Sequence, residues 1–183
     1  MHEAGLHIGI YDITSELEIP AYQCVLFDSP DAERAMGYFW GFGCHVAPGI
    51  ALSRAITEAV QCRLTEITGT RDDIEFEAYA SNRDRDELRE MLALLNDPPP
   101  TRRFGDRVSR RGQDLREDLE MVLSTLRQAG ITRAVAVDLS QPAFGIPVVK
   151  VIVPELEGYP HEHVPGTRVQ SRLRALEAEA SHG

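Results

Sequence analysis

A chain of 183 residues with 43% hydrophobic and 26% charged content is long enough to bury a substantial core and has the composition of a soluble globular protein. Its formal net charge of -10 argues against a general nucleic-acid or anionic-membrane surface, leaving room for local basic patches. No apolar run reaches transmembrane length, the opening MHEAGLHIGIYD lacks a basic region followed by an apolar one, and the three cysteines (Cys24, Cys44, Cys62) show no CxxC spacing, so a reducing cytoplasmic home is expected.

Residues 6–13 (LHIGIYDI) alternate in polarity and predict a half-buried strand; TSELEIP reads as a turn and residues 21–29 (AYQCVLFDS) as the returning strand. Next comes GYFWGFG, three glycines threaded through aromatics, and then a helix that opens with Pro48 as a first-turn residue and continues with helical spacing over residues 50–67. Residues 84–96 predict a second helix with an acidic first turn, residues 97–111 a Pro-rich basic loop, and residues 112–130 a third helix. Leu115, Leu119, Val122, Leu123 and Leu126 share one face of that third helix, and Gly130 stops it. RAVAVDLS and VVKVIVP then repeat the grammar of the first hairpin. Asp12-Ile13-Thr14 and Ile19-Pro20 align with Asp138-Leu139-Ser140 and Ile146-Pro147, with one extra residue in the second turn. Shared turn punctuation and a duplicated hairpin both account for this. Hairpins at both ends with helices between them predict an α+β fold with a mainly antiparallel sheet and helices packed on it. Residues 167–183 form a separate tail, helical or disordered.

On a wheel of about 100° per residue, Arg54, Glu58, Gln61 and Thr65 fall within about 60° of one another, opposite Leu52, Ala55, Ile56, Ala59 and Val60. Arg63 falls on the apolar side and needs a carboxylate or carbonyl partner. The polar stripe has two readings. One is a solvated face with an Arg54–Glu58 i,i+4 pair. The other is a ligand wall, with Arg54 on phosphate, Glu58 on a metal ion or nucleotide hydroxyl, and Gln61 completing it. Neither GxxxxGK[ST] nor a strand-to-helix GxGxxG is present.

Other residues carry paired readings as well. His161 and His163 are a weak metal pair or a polar surface loop. Cys44–His45 is a nucleophile and base, or a buried thiol beside a satisfied histidine. Phe39, Trp40 and Phe42 are core or a stacking platform. Arg102, Arg103, Arg107, Arg110 and Arg111 form a mobile solvated loop or a clasp for an acidic partner or peptide.

The block Gly41-Phe-Gly-Cys-His45, Pro48, Ala51-Leu-Ser-Arg-Ala-Ile-Thr-Glu58, Ala59, Gln61, Arg63-Leu-Thr, Ile67, Gly69 and Arg71-Asp-Asp73 resembles the C-terminal half of YcaO-domain proteins, in the branch that travels with TfuA-like partners. Both hairpins resemble that family too, so the likeness covers residues 5–166, and residues 1–166 are expected to be one C-terminal YcaO half. The resemblance implies an enzyme dependent on ATP and Mg²⁺ that phosphorylates the oxygen of a peptide backbone amide after a nucleophile has attacked. A side-chain nucleophile leads to an azoline, a sulfide source to a thioamide, and the TfuA-linked branch is associated with the latter. Carried over by position, Arg54 contacts phosphate, Glu58 is its partner acid and Mg²⁺ ligand, and Gln61 belongs to the same cofactor site; Arg63 and His45 receive no role.

Two departures qualify this. No segment resembles the family's N-terminal half with its paired glutamates, and the C-terminus lacks the PxPxP of azoline-forming members, which favours thioamidation. A truncated piece, a split protein with a separate N-terminal half and a degenerate remnant are all compatible with the first departure. The expected partners are a peptide or protein substrate, a TfuA-like protein, and a separate YcaO half or a homodimer mate, with neither nucleic acid nor membrane. The alternative function is a non-catalytic module that dimerises or binds a peptide or partner.

Overall fold

The computed structural model describes residues 5–33, 35–69, 71, 73, 84–96, 102–156, 170–171, 173–174 and 177–178. His161, His163 and most of the 167–183 tail lie outside the described residues. The elements run β1 (Leu6–Asp12), β2 (Ala21–Asp28), β3 (Tyr38–Cys44), α1 (Pro48–Thr68), α2 (Arg85–Asn96), a single 3-10 turn (Phe104–Asp106), α3 (Leu115–Gln128), β4 (Val135–Asp138) and β5 (Val149–Ile152). The chain forms two compact units, one reaching to Val122 and one from Leu123 onward, with the boundary inside α3. The class is α+β with antiparallel strands throughout, as expected. The strands divide into two sheets: β3 joins the first hairpin in the order β1-β2-β3, and β4-β5 stand as a pair. No described helix is long and apolar enough to cross a membrane.

The glycines of GYFWGFG explain how the first unit is built. Ala51, Ala55 and Ala59 recur every fourth residue on α1 and are fully buried. They lie against β3 so closely that a Cβ on Gly41 would stand 2.1 Å from the Ala55 carbonyl oxygen, and one on Gly43 1.9 Å from that of Ala51. Helix backbone thus meets strand backbone, which only glycine on the strand and small residues on the helix allow. Tyr22, Cys24 and Leu26 of β2 complete this side of the core, with Leu52 and Ile56 packed at its edge. Val25 and Phe27 point the other way, onto Leu88, Met91, Leu92 and Leu95 of α2. The apolar side of α1 is narrower than its wheel suggests: Val60 is 49% exposed, because only the alanine stripe is seated on the strands.

Alternation also sorts the aromatics of β3. Phe39 shares the inward face of Gly41 and Gly43, while Trp40 and Phe42 point outward and remain about two-fifths exposed (39% and 41%), so two of these three rings are not core. Arg63 has the partner its position demands. Its Nη2 donates to Asp28 Oδ1 at 2.9 Å, and the buried Asp28 takes the Met36 N–H on Oδ2 at 2.6 Å. Both carboxylate oxygens are therefore satisfied, the condition for burying that charge.

The aligned hairpins use the same hydrogen bonds. Thr14 N–H donates to Asp12 Oδ1 (3.0 Å), Ala21 N–H to Thr14 Oγ1 (3.1 Å) and Ile13 N–H to the Ala21 carbonyl (3.0 Å). In the second hairpin, Ser140 N–H donates to Asp138 Oδ1 (2.8 Å), Val148 N–H to Ser140 Oγ (2.9 Å) and Leu139 N–H to the Val148 carbonyl (2.8 Å). An Asp-apolar-Thr/Ser step turns each strand end by the same side-chain mimicry of a backbone turn. α3 ends as expected at Gly130 (φ 82°), where Gly130 N–H reaches the Arg127 carbonyl and Ile131 N–H that of Leu126, with Leu126 and Ile131 both buried. Its predicted apolar face is only partly covered: Leu126 is buried, whereas Leu115 is 80% exposed and Leu119 is exposed too.

Candidate functional site

Arg54, Glu58 and Gln61 lie one turn apart along α1 and, with Thr57, form one wall of a cleft of about 550 Å³. Phe42, Gly43 and Cys44 of β3 supply the second wall, and Ile13 and Ala21, from the two sides of the first hairpin's turn, close one end. The three residues singled out from the wheel therefore line a single cavity, of a size that accommodates a small-molecule ligand.

The i,i+4 pair between Arg54 and Glu58 does not form. Glu58 turns instead to β3, an edge strand of the three-stranded sheet, where Oε2 accepts the Phe42 N–H at 2.6 Å. A carboxylate thus satisfies a backbone donor that the sheet leaves open. Among the described residues Arg54 has no carboxylate partner within 4 Å, and its guanidinium stands exposed with its planar donor fork available. Its charge is felt by Cys44: partial burial pushes that thiol up, and Arg54 draws it part of the way back.

That balance bears on the Cys44–His45 pair. A thiol held above its ordinary value is not an activated nucleophile. His45 is otherwise engaged, its Nδ1 accepting the Ala47 N–H at 2.9 Å just before α1 and its own N–H donating to the Pro20 carbonyl at 3.1 Å. The satisfied-histidine reading is the one that fits, but the thiol beside it is exposed and not buried, because Cys44 falls on the outward face of β3 with Trp40 and Phe42.

The basic loop is not a free one. Arg107 Nε and Nη2 both meet Asp12 Oδ2 (2.9 and 2.7 Å), its Nη1 donates to Glu18 Oε2 (2.9 Å), and the Arg110 N–H bonds the Val46 carbonyl at 3.0 Å. Burial raises the Asp12 carboxyl, but hydrogen bonds from Thr14 and from Arg107 outweigh it and hold the group below its ordinary value of 3.8. A depressed folded value adds stability above the unfolded value, and that contribution disappears as pH falls through the folded one. The Tm difference between the wild type and Arg107→Ala should therefore be present at neutral pH and shrink below pH 3.8, as read by thermal melts across an acid series.

The cleft's donor set fits a nucleotide phosphate and, in part, a divalent cation. Arg54 offers a fork for phosphate oxygens and Gln61 an amide for a hydroxyl. Among the described residues Glu58 is the one carboxylate lining the cleft, and no group of three or more His, Cys, Asp or Glu could hold a metal ion. Mg²⁺, which often takes one or two carboxylates and fills its shell with phosphate oxygens and water, is compatible with that; a cation held by protein ligands alone is not.

The model of a family described as YcaO cyclodehydratase, ATP- and Mg²⁺-binding, matches residues 1–157. An uncharacterized protein of Methanothermobacter thermautotrophicus is 31% identical over 175 residues, covering 95% of this chain and 44% of that protein. A Rhizobium leguminosarum protein described as lying in the tfuA 3′ region is 32% identical over 177 residues, covering 94% of this chain and 41% of the other. The chain thus spans less than half the length of these curated relatives. Among solved structures, a heterocyclase in complex with substrate and cofactor is similar with a TM-score of 0.69 and 28% identity, covering 85% of this chain and 20% of that one. The YcaO protein of Methanopyrus kandleri bound with AMPPCP and Mg²⁺ shares the fold at a TM-score of 0.61 and 22% identity, over 87% of this chain and 44% of that one.

Proposed function

Because this chain belongs to the YcaO family, we propose that its α1–β3 cleft is part of the ATP and Mg²⁺ site of an enzyme that activates peptide backbone amides by phosphorylating the amide oxygen, leading to a thioamide or an azoline. When bound, ATP would supply the phosphoryl group that turns a poor leaving oxygen into a good one. Arg54 holds phosphate oxygens through its guanidinium fork, Glu58 supplies one oxygen ligand toward Mg²⁺, and Gln61 hydrogen-bonds the nucleotide. The observation that carries this is the convergence of these three side chains on one cleft, with the Arg54 guanidinium free of carboxylates among the described residues. A thioamide product and a TfuA-like partner belong to the same proposal, supported by the likeness to the Rhizobium protein of the tfuA 3′ region. The substrate is a peptide or protein segment, in keeping with the substrate-bound heterocyclase that shares the fold.

A second reading, a non-catalytic module that dimerises or binds a partner, draws on the β4–β5 pair. Every residue of its two strands is exposed, and Val137, Val149 and Val151 are among them. Calorimetry with Mg·ATP, run beside size-exclusion chromatography, separates the two. Saturable binding that requires Mg²⁺ is expected. A folded chain that binds no nucleotide and elutes as a stable dimer would instead favour the module.

A further inference from the structure

A second cleft in the first unit, of about 570 Å³, is lined by neither Arg54, Glu58 nor Gln61. Its walls are apolar where β1 and α2 contribute, through Ile8 and Ile10 on one side and Leu94 and Leu95 on the other. Its rim is cationic, carrying Arg102, Arg103 and Arg107. Arg107 is already fastened to Asp12 and Glu18, and Arg102 approaches the same Asp12 at 3.7 Å. Among the described residues Arg103 has no carboxylate within 4 Å of its guanidinium, while Asp106 Oδ2 accepts its backbone N–H at 3.2 Å, so Arg103 is the one guanidinium of the three whose charge is unpaired. Beneath the rim the Tyr22 hydroxyl is buried with no hydrogen-bond partner among the described residues, and the Tyr22 and Phe104 ring centroids lie 5.9 Å apart.

From these features we infer that this cleft binds a carboxylate carried on an apolar body, either a small aryl or alkyl acid or the free C-terminus of an apolar peptide. The apolar walls take the body, and the rim takes one negative charge. A polyphosphate does not suit it, since the walls below the rim are mainly apolar and Asp12 repels a second charge. The pinned Arg107 and its carboxylates hold the rim in place before any ligand arrives, which lowers the ordering cost of binding. This site does not depend on the nucleotide reading of the other cleft.

The test is a titration of the full chain, followed by calorimetry and by backbone amide NMR. Hydrocinnamate is compared with hydrocinnamyl alcohol, and N-acetyl-leucyl-phenylalanine with its C-terminal amide. Each acid should bind at least about tenfold more tightly than its neutral partner, the difference expected of a charge-assisted contact. The shifting signals should include Ile10, Leu95 and Phe104 and exclude Glu58. Arg103→Ala, and the milder Arg103→Gln, should abolish the preference for the acid with an unchanged Tm, since that side chain is exposed. The tighter of the two acids identifies the source, small acid or peptide terminus. Equal binding of acid and neutral forms, no binding at all, or a preference that survives both Arg103 variants would overturn the assignment.

Discussion

Gly43→Ala is expected to destabilise the first unit by about 3 kcal/mol, at the upper end of what overpacking a core usually does. The added methyl would stand 1.9 Å from the Ala51 carbonyl oxygen and 2.7 Å from the Ala55 nitrogen. Both are helix backbone atoms and cannot rotate aside as the end of a side chain would. Relief requires α1 to lift off β3, which opens the alanine stripe and pulls Glu58 away from the Phe42 N–H. Gly41→Ala should act in the same sense, its methyl falling 2.1 Å from the Ala55 oxygen and 2.3 Å from the Ala59 nitrogen. Gly49→Ala is the control. It lies in the first turn of α1, where an added methyl would meet nothing within 4 Å, and should stabilise by about 0.5 kcal/mol through reduced freedom of the unfolded chain. Urea unfolding of the three variants decides the matter. A Gly43→Ala chain within about 1 kcal/mol of wild type would mean that helix and strand backbones are not in contact as described.

What depends on local period and local chemistry is legible in the sequence. The wheel placed Arg54, Glu58 and Gln61 together because helical spacing alone decides which residues share a face, and they do line one cleft. It also marked Arg63 as a cation in want of a partner. Naming Asp28 required the fold, since the two are 35 residues apart. The matched hairpins were visible for the same reason, because an Asp-apolar-Thr/Ser step makes its bonds within a few residues. Tertiary choices were beyond reach. Glu58 prefers the Phe42 amide to the nearer Arg54 because β3 is an edge strand, a property of sheet order and not of α1. Arg107 looked like one more member of a solvated cluster until the chain brought Asp12, 95 residues away, to within 2.9 Å of it. Val60, Leu115 and Leu119 are apolar at positions that period assigns to a core, yet they stay 49%, 80% and 58% exposed. Period tells which face is apolar; only packing tells how much of it is used.

Arg54→Ala is expected to weaken Mg·ATP binding by about a hundredfold, the loss expected when the charge-assisted bonds of one guanidinium to phosphate are removed. Its Tm should stay close to that of the wild type, because Arg54 is exposed and holds no carboxylate among the described residues. Arg54→Lys should fall between the two, keeping the charge but losing the fork. Glu58 needs a finer test, since its carboxylate has a structural contact of its own. Glu58→Gln preserves an oxygen for the Phe42 N–H while removing the negative charge, whereas Glu58→Ala removes both. If Glu58 ligates Mg²⁺, the glutamine variant should keep its stability and still lose Mg²⁺-dependent binding. If Glu58 serves only to cap the edge of β3, the glutamine variant should bind like wild type, and only the alanine variant should suffer, by about 1 kcal/mol of stability. Calorimetry with and without Mg²⁺, beside thermal melts of the same samples, separates a ligand contact from a fold contact at each position. Unchanged nucleotide affinity in Arg54→Ala would remove the cleft from the nucleotide site altogether.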